Sequence, residues 1–139
     1  MNHIITTVVL TFCAYLLPLV PAQYPILENI YFTSYNPEAG QTDETPCIAG
    51  GTGYDLCAMY LAGERPIAFS QDLVEWAGGS PLKAGDVVEL RSKDPDPRCN
   101  GEFTVADSLN ARYTMRGDIF FIGRENNVSC TANVYKNGL

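Results

Sequence analysis

Apolar residues in this chain fall in short runs rich in aromatic and β-branched side chains. Polar stretches full of Gly, Pro, Asp and Thr separate them, and no run has the length or period of a long amphipathic helix. The runs predict six strands, at residues 28–35, 66–70, 87–91, 102–106, 118–122 and 131–135. Asn36-Pro37 ends the first, and residues 38–54 read as a loop. Residues 55–62 form either a short helical turn or an irregular segment. Residues 71–76 suit one helical turn before the Gly78-Gly79 breaker, 81–86 a turn, and 93–99 a surface loop. Short strands spaced by turn signals predict an all-β fold, a small six-stranded barrel with long loops and little helix.

The fifth run is apolar on both faces, with Phe120 and Ile122 on one and Ile119 and Phe121 on the other. A strand of this kind is covered on both sides. Asp118 then stands at the entrance to a buried strand, and Asp107 closes the run before it. If the two runs are neighbours, both carboxylates lie at one end of the sheet. Partial desolvation beside Phe and Val raises a carboxyl pKa. A carboxylic acid still protonated near neutral pH is what glycosidic cleavage requires. The plainer role for both acids is local, since Asp at a strand end bonds nearby backbone N–H groups.

The N-terminus changes the picture of length. Residues 4–20 are mostly apolar and uncharged, and Val20-Pro21-Ala22 suits cleavage before Gln23. Residues 1–22 are expected to be a signal peptide and 23–139 one domain, secreted or held in the cell envelope. An uncleaved anchor is the alternative, although Pro18 interrupts a run near the short limit for a span. Of the 139 residues, 16 are acidic and 9 basic, a formal charge of −7. That balance disfavours nucleic acid and anionic membranes as partners and leaves a cell-wall glycan open.

Four cysteines follow the leader: Cys47, Cys57, Cys99 and Cys130. An even count in a small exported domain indicates disulfides, with three pairings open. The preferred set is Cys47–Cys57, closing a Gly-rich loop, and Cys99–Cys130, tying a strand approach to the last strand. A zinc site is disfavoured, because no C-x-x-C pair is present and the only histidine, His3, lies in the leader. No metal or cofactor is expected.

Several stretches occur in an order that resembles one family. They are Tyr35-Asn36-Pro37, the loop from Gln41 to Gly51, Ile67-Ala68-Phe69, Pro81-Leu82-Lys83-Ala84-Gly85-Asp86-Val87-Val88, Val105-Ala106-Asp107 and Asp118-Ile119-Phe120-Phe121. Together they resemble the 3D domain, named for three aspartates and related to the catalytic barrel of membrane-bound lytic transglycosylase A. The form from Asp107 to Tyr113 is similar to a subgroup that also carries the Gln-Thr-Asp-x-Thr-Pro loop. The resemblance implies a double-psi β-barrel acting, as a monomer, on peptidoglycan or a related glycan. It implies Asp118 as acid and base, with Asp107 raising its pKa. Thr42, Asp43 and Thr45 would bond sugar hydroxyls or orient the acids. Arg112 would pair with a substrate carboxylate and Tyr113 would stack on a pyranose; the alternative is an Arg–Asp salt bridge with a packed Tyr. The chain departs from the pattern at the first aspartate, where Ser70 stands and Asp72 follows two residues on. A non-catalytic glycan-binding barrel is therefore the alternative expectation.

Overall fold

The structure, a computed structural model, describes residues 23–37, 45–123 and 127–136. Its strands are β1 Leu27–Tyr35, β2 Pro66–Phe69, β3 Val87–Ser92, β4 Gly101–Ser108, β5 Arg116–Phe120 and β6 Ser129–Lys136. They close into a barrel in the order β1-β5-β2-β4-β3-β6, with β6 returning to β1. Pairing is mixed: β1 with β5 and β2 with β4 are parallel, and the other four pairs are antiparallel. The six-stranded all-β barrel expected from the sequence is present. The only α-helix among the described residues, α1, is a short one at Leu56–Leu61, and Asp55 caps it by accepting from the Ala58 N–H at 2.9 Å. Residues 71–77 form two 3-10 turns instead of one helical turn, and Pro97–Cys99 adds a third within the expected surface loop.

Alternation along the strands fills the barrel. Ile30 and Phe32 of β1, Ile67 and Phe69 of β2, Val88 and Leu90 of β3, Phe103 and Val105 of β4, Ile119 of β5 and Val134 of β6 share one buried cluster. Phe32 and Phe69 meet edge-on at 5.7 Å. Gly117, in register with Phe32, makes room for that ring. A Cβ there would lie 2.2 Å from it. The outward face of β5 is covered too, as expected, but only as far as Phe120. Ile122 lies beyond the strand end and is 38% exposed.

A second cluster sits on the outside of the wall. Ala49 and Leu56 pack on Ala106 and Phe120, flanked by Tyr35, Tyr54 and Tyr60. The segment carrying Ala49 is folded back on itself, with Ala49 N–H to the Tyr54 carbonyl at 2.9 Å and Leu56 N–H to the Cys47 carbonyl at 2.7 Å. Cys47–Cys57 closes it, and Cys99–Cys130 ties the third 3-10 turn to β6. Both preferred bridges are formed. Among the described residues no helix is long and apolar enough to cross a membrane. Disulfides are compatible with an extracellular setting. The expected signal peptide lies outside the described residues.

Candidate functional site

The site depends on one irregularity in β4. Phe103 and Val105 face the core, so strict alternation would send Asp107 inward after them. The β2–β4 register shifts between Ile67 and Ala68. Ile67 pairs with Val105, but Ala68 pairs with Asp107. Ala106 is the extra residue, and the bulge turns Asp107 outward to share a face with Ala68. The Ala106 carbonyl, displaced from the ladder, accepts from Thr52 Oγ1 at 2.6 Å. The covering loop thus satisfies the bulge that creates the site.

On its other side Ala68 pairs with Asp118, and Asp118 pairs in turn with Thr33. A single cross-strand row therefore reads Asp107, Ala68, Asp118, Thr33. The expectation that the two acidic strands are neighbours is corrected here. β2 runs between them, which puts the two aspartate Cα atoms about 10 Å apart, two strand spacings. Nor do the acids sit at strand tips. β4 continues to Ser108 and β5 starts at Arg116.

This row floors a cleft of about 520 Å3. One wall is the disulfide-closed loop, with Pro46, Ile48, Gly50 and Gly51. The other is the segment from Ser108 to Tyr113, including Asn110 and Arg112. That second wall is braced from below. Leu109 N–H donates to the Phe69 carbonyl at 2.9 Å, and Gln71 Nε2 to the Leu109 carbonyl at 3.2 Å. The Asn110 side chain accepts from Arg112 N–H at 3.1 Å, a local turn that sets the course of the segment.

Each acid has identifiable partners. Thr33 Oγ1 donates to Asp118 Oδ1. Asp107 accepts from Tyr35 OH at 3.1 Å through Oδ2 and from Ser108 N–H at 2.8 Å through Oδ1. Burial pushes the Asp118 carboxyl above its ordinary range, while the Thr33 hydroxyl and the Arg116 charge pull it partly back. The shift thus traces to desolvation, where the sequence also implied a contribution from Asp107. Tyr35 does respond to both acids. Its phenol is held well above its usual value, first by burial, then by the Asp107 charge and hydrogen bond, and last by Asp118.

Arg112 and Tyr113 line the cleft. Arg112 donates to the Tyr113 hydroxyl at 2.7 Å, with its guanidinium 4.7 Å from that ring. Thr45 is exposed and stands one position before the first residue of the loop wall, its carbonyl accepting from Ile48 N–H. Thr42 and Asp43 lie outside the described residues. Ser70, standing where the resemblance implies a first aspartate, is wholly buried. Its Oγ accepts from Arg116 N–H at 3.1 Å, away from the cleft. Asp72 holds the Met115 N–H at 3.1 Å and is likewise a brace.

The structure adds Thr33, Tyr35, Ala68 and Gln71 to the site. Thr33 and Tyr35 were accessible in principle, because they alternate with the buried Ile30 and Phe32 and so face outward at the strand's far end. The site offers hydroxyl, amide and carboxyl groups around one sheltered acid. Among the described residues no cluster of three His, Cys, Asp or Glu stands together as a metal-ligand set. No family model, curated protein or solved structure matches this chain.

Proposed function

We propose that the protein is a secreted glycan-cleaving enzyme of the lytic transglycosylase type, acting as a monomer on peptidoglycan or a related wall polymer. The observation that supports it is the pairing of Asp107 and Asp118 across one alanine in a single cleft, with burial raising the Asp118 carboxyl above its ordinary range.

Thr33 occupies Oδ1 of Asp118. An acid proton on Oδ2 would pass to the oxygen joining two sugars. The anomeric C–O bond breaks and its electron pair stays with the departing sugar. The C6 hydroxyl oxygen of the remaining sugar attacks the anomeric carbon and gives its proton to the Asp118 carboxylate. The acid is restored, no water is consumed and a 1,6-anhydro end is formed. Assistance of this kind contributes roughly 10²–10⁴ in rate. Asp107 accepts hydrogen bonds from Tyr35 and the Ser108 N–H, which fix its orientation. Its carboxyl faces the positive charge that develops on the sugar ring.

Ser70 favours a second reading. With a buried hydroxyl where the resemblance implies an acid, the barrel would bind glycan without cutting it. Digestion of purified peptidoglycan by the chain from Gln23, followed by mass analysis, separates the two. Anhydro-ended fragments that vanish in Asp118→Asn support the lyase. Sedimentation with the polymer and no fragments selects the binding module.

A further inference from the structure

Two arginines converge on Tyr113: Arg112, which lines the cleft with it, and Arg116, which packs against its ring. The Arg112 guanidinium lies 4.7 Å from the ring centre and that of Arg116 4.8 Å from it. Arg116 is also 5.1 Å from the ring of Tyr31, its register partner on β1. It is therefore held between two aromatic rings, and its Nε is buried without a hydrogen-bond partner among the described residues. Arg116 shares the outward face of β5 with Asp118, two residues on. The four ion pairs found among the described residues use Lys83, Arg91, Arg98 and Lys136, and neither of these two arginines.

A guanidinium stacked on aromatic rings is oriented before any ligand arrives, so little freedom is lost when its N–H edge takes a planar anion. Carboxylates match that edge with paired, charge-assisted hydrogen bonds. The floor beside this pair carries two acids, in a protein of net charge −7. A saccharide with a carboxylate on every sugar would be repelled there. The site is thus polarised: acids on the cleft floor, Arg112 and Tyr113 on its wall, and Arg116 packed against the Tyr113 ring.

We propose that Arg112 and Arg116 with Tyr113 form a subsite for a single carboxylate on a sugar whose neighbours in the chain are uncharged. This rests on the glycan reading above and specifies which glycan the cleft takes. The subsite sets which sugar lies over Asp118, because the carboxylate fixes the chain's register.

The test measures binding of the Asp118→Asn chain to soluble glycan strands with one carboxylate per repeat, and to the same strands after reduction of those carboxylates to alcohols. Cleavage of both by the unsubstituted protein is followed in parallel. The carboxylated strands are expected to bind about ten- to a hundredfold more tightly, as charge-assisted bonds warrant. Adding Arg112→Gln, at an exposed side chain, should remove much of that preference, weakening carboxylated strands far more than reduced ones. Arg116→Lys, which keeps the charge but not the stacked plane, should also weaken it, with circular dichroism reporting the fold. Equal binding of both strands, binding of neither, or a preference that survives both substitutions overturns the subsite. Cleavage with equal binding overturns the subsite alone. Selective binding without cleavage removes the lyase and keeps the subsite.

Discussion

Ala68 stands in register with Asp118 on one side, and its other strand partner is Asp107, so one methyl group is all that separates the two acids along the cleft floor. Ala68 is buried beneath the cleft, so a larger side chain there crowds both flanking acids. Ala68→Val is expected to weaken glycan binding at least about tenfold. Overpacking adds a cost of roughly 1–3 kcal/mol to the fold. Sedimentation with wall glycan, beside a thermal melt, checks both halves of this expectation.

Asp118→Asn should abolish cleavage, a loss of at least about 10²-fold. It should also stabilise the fold at neutral pH. Burial holds the folded-state pKa of Asp118 above its unfolded value, so the folded chain binds this proton more tightly. The stabilising contribution is full below the unfolded carboxyl range and is lost as pH rises through the folded value. The Tm advantage of the substituted chain should therefore be clear at pH 7 and shrink toward pH 3. An advantage independent of pH would contradict the sheltered acid.

Tyr35 gives an alkaline counterpart. Its phenol is raised mainly by burial and next by Asp107, so the folded chain resists its ionisation. Stability from this group is present below the unfolded value near 10 and is lost as pH climbs through the folded one. Ultraviolet titration should show one late-ionising tyrosine, absent in Tyr35→Phe. In Asp107→Asn that step should come earlier, though still later than for an exposed tyrosine, because burial remains.

Thr52→Val keeps the shape of the loop and deletes the donor to the Ala106 carbonyl. Leaving a buried acceptor unpaired costs about 1–3 kcal/mol. Chemical denaturation should show a lower midpoint with the slope preserved.

The two disulfides should separate stability from binding. Cys99–Cys130 links residues 31 apart and joins distant parts of the barrel. Removing it should cost about 2–5 kcal/mol. Cys47–Cys57 spans 10 residues and closes the wall that presents Ile48, Gly50 and Gly51 to the cleft. Its removal should cost less in Tm and more in glycan affinity, read by melting and sedimentation of the paired Cys→Ala variants.

The strands were legible because each run advertises itself locally: Ile30 and Phe32, or Val88 and Leu90, repeat at the strand period between turn-forming residues. The acids at 107 and 118 were legible because each adjoins such a run. Their true separation was not. Which strand lies between β4 and β5 is set by the closure of the whole barrel, and no local pattern in β2 announces that Ala68 will stand there. Arg116 escaped notice for the same reason, since its ring partners Tyr31 and Tyr113 come from distant stretches. The bulge was the least legible feature of all. Val105-Ala106-Asp107 reads as unbroken alternation until the β2 register reveals the extra residue.

That extra residue sets the course of the strand's end. With Ala106 kept but the bulge ironed out, Asp107 would follow Val105 by two positions and enter the packed interior. Excising Ala106 would leave the carboxylate outward, opposite Ala68, but would strip a methyl group from the outer cluster and take away the carbonyl that Thr52 grips. Such a deletion should therefore unfasten the covering loop while the acid keeps its heading.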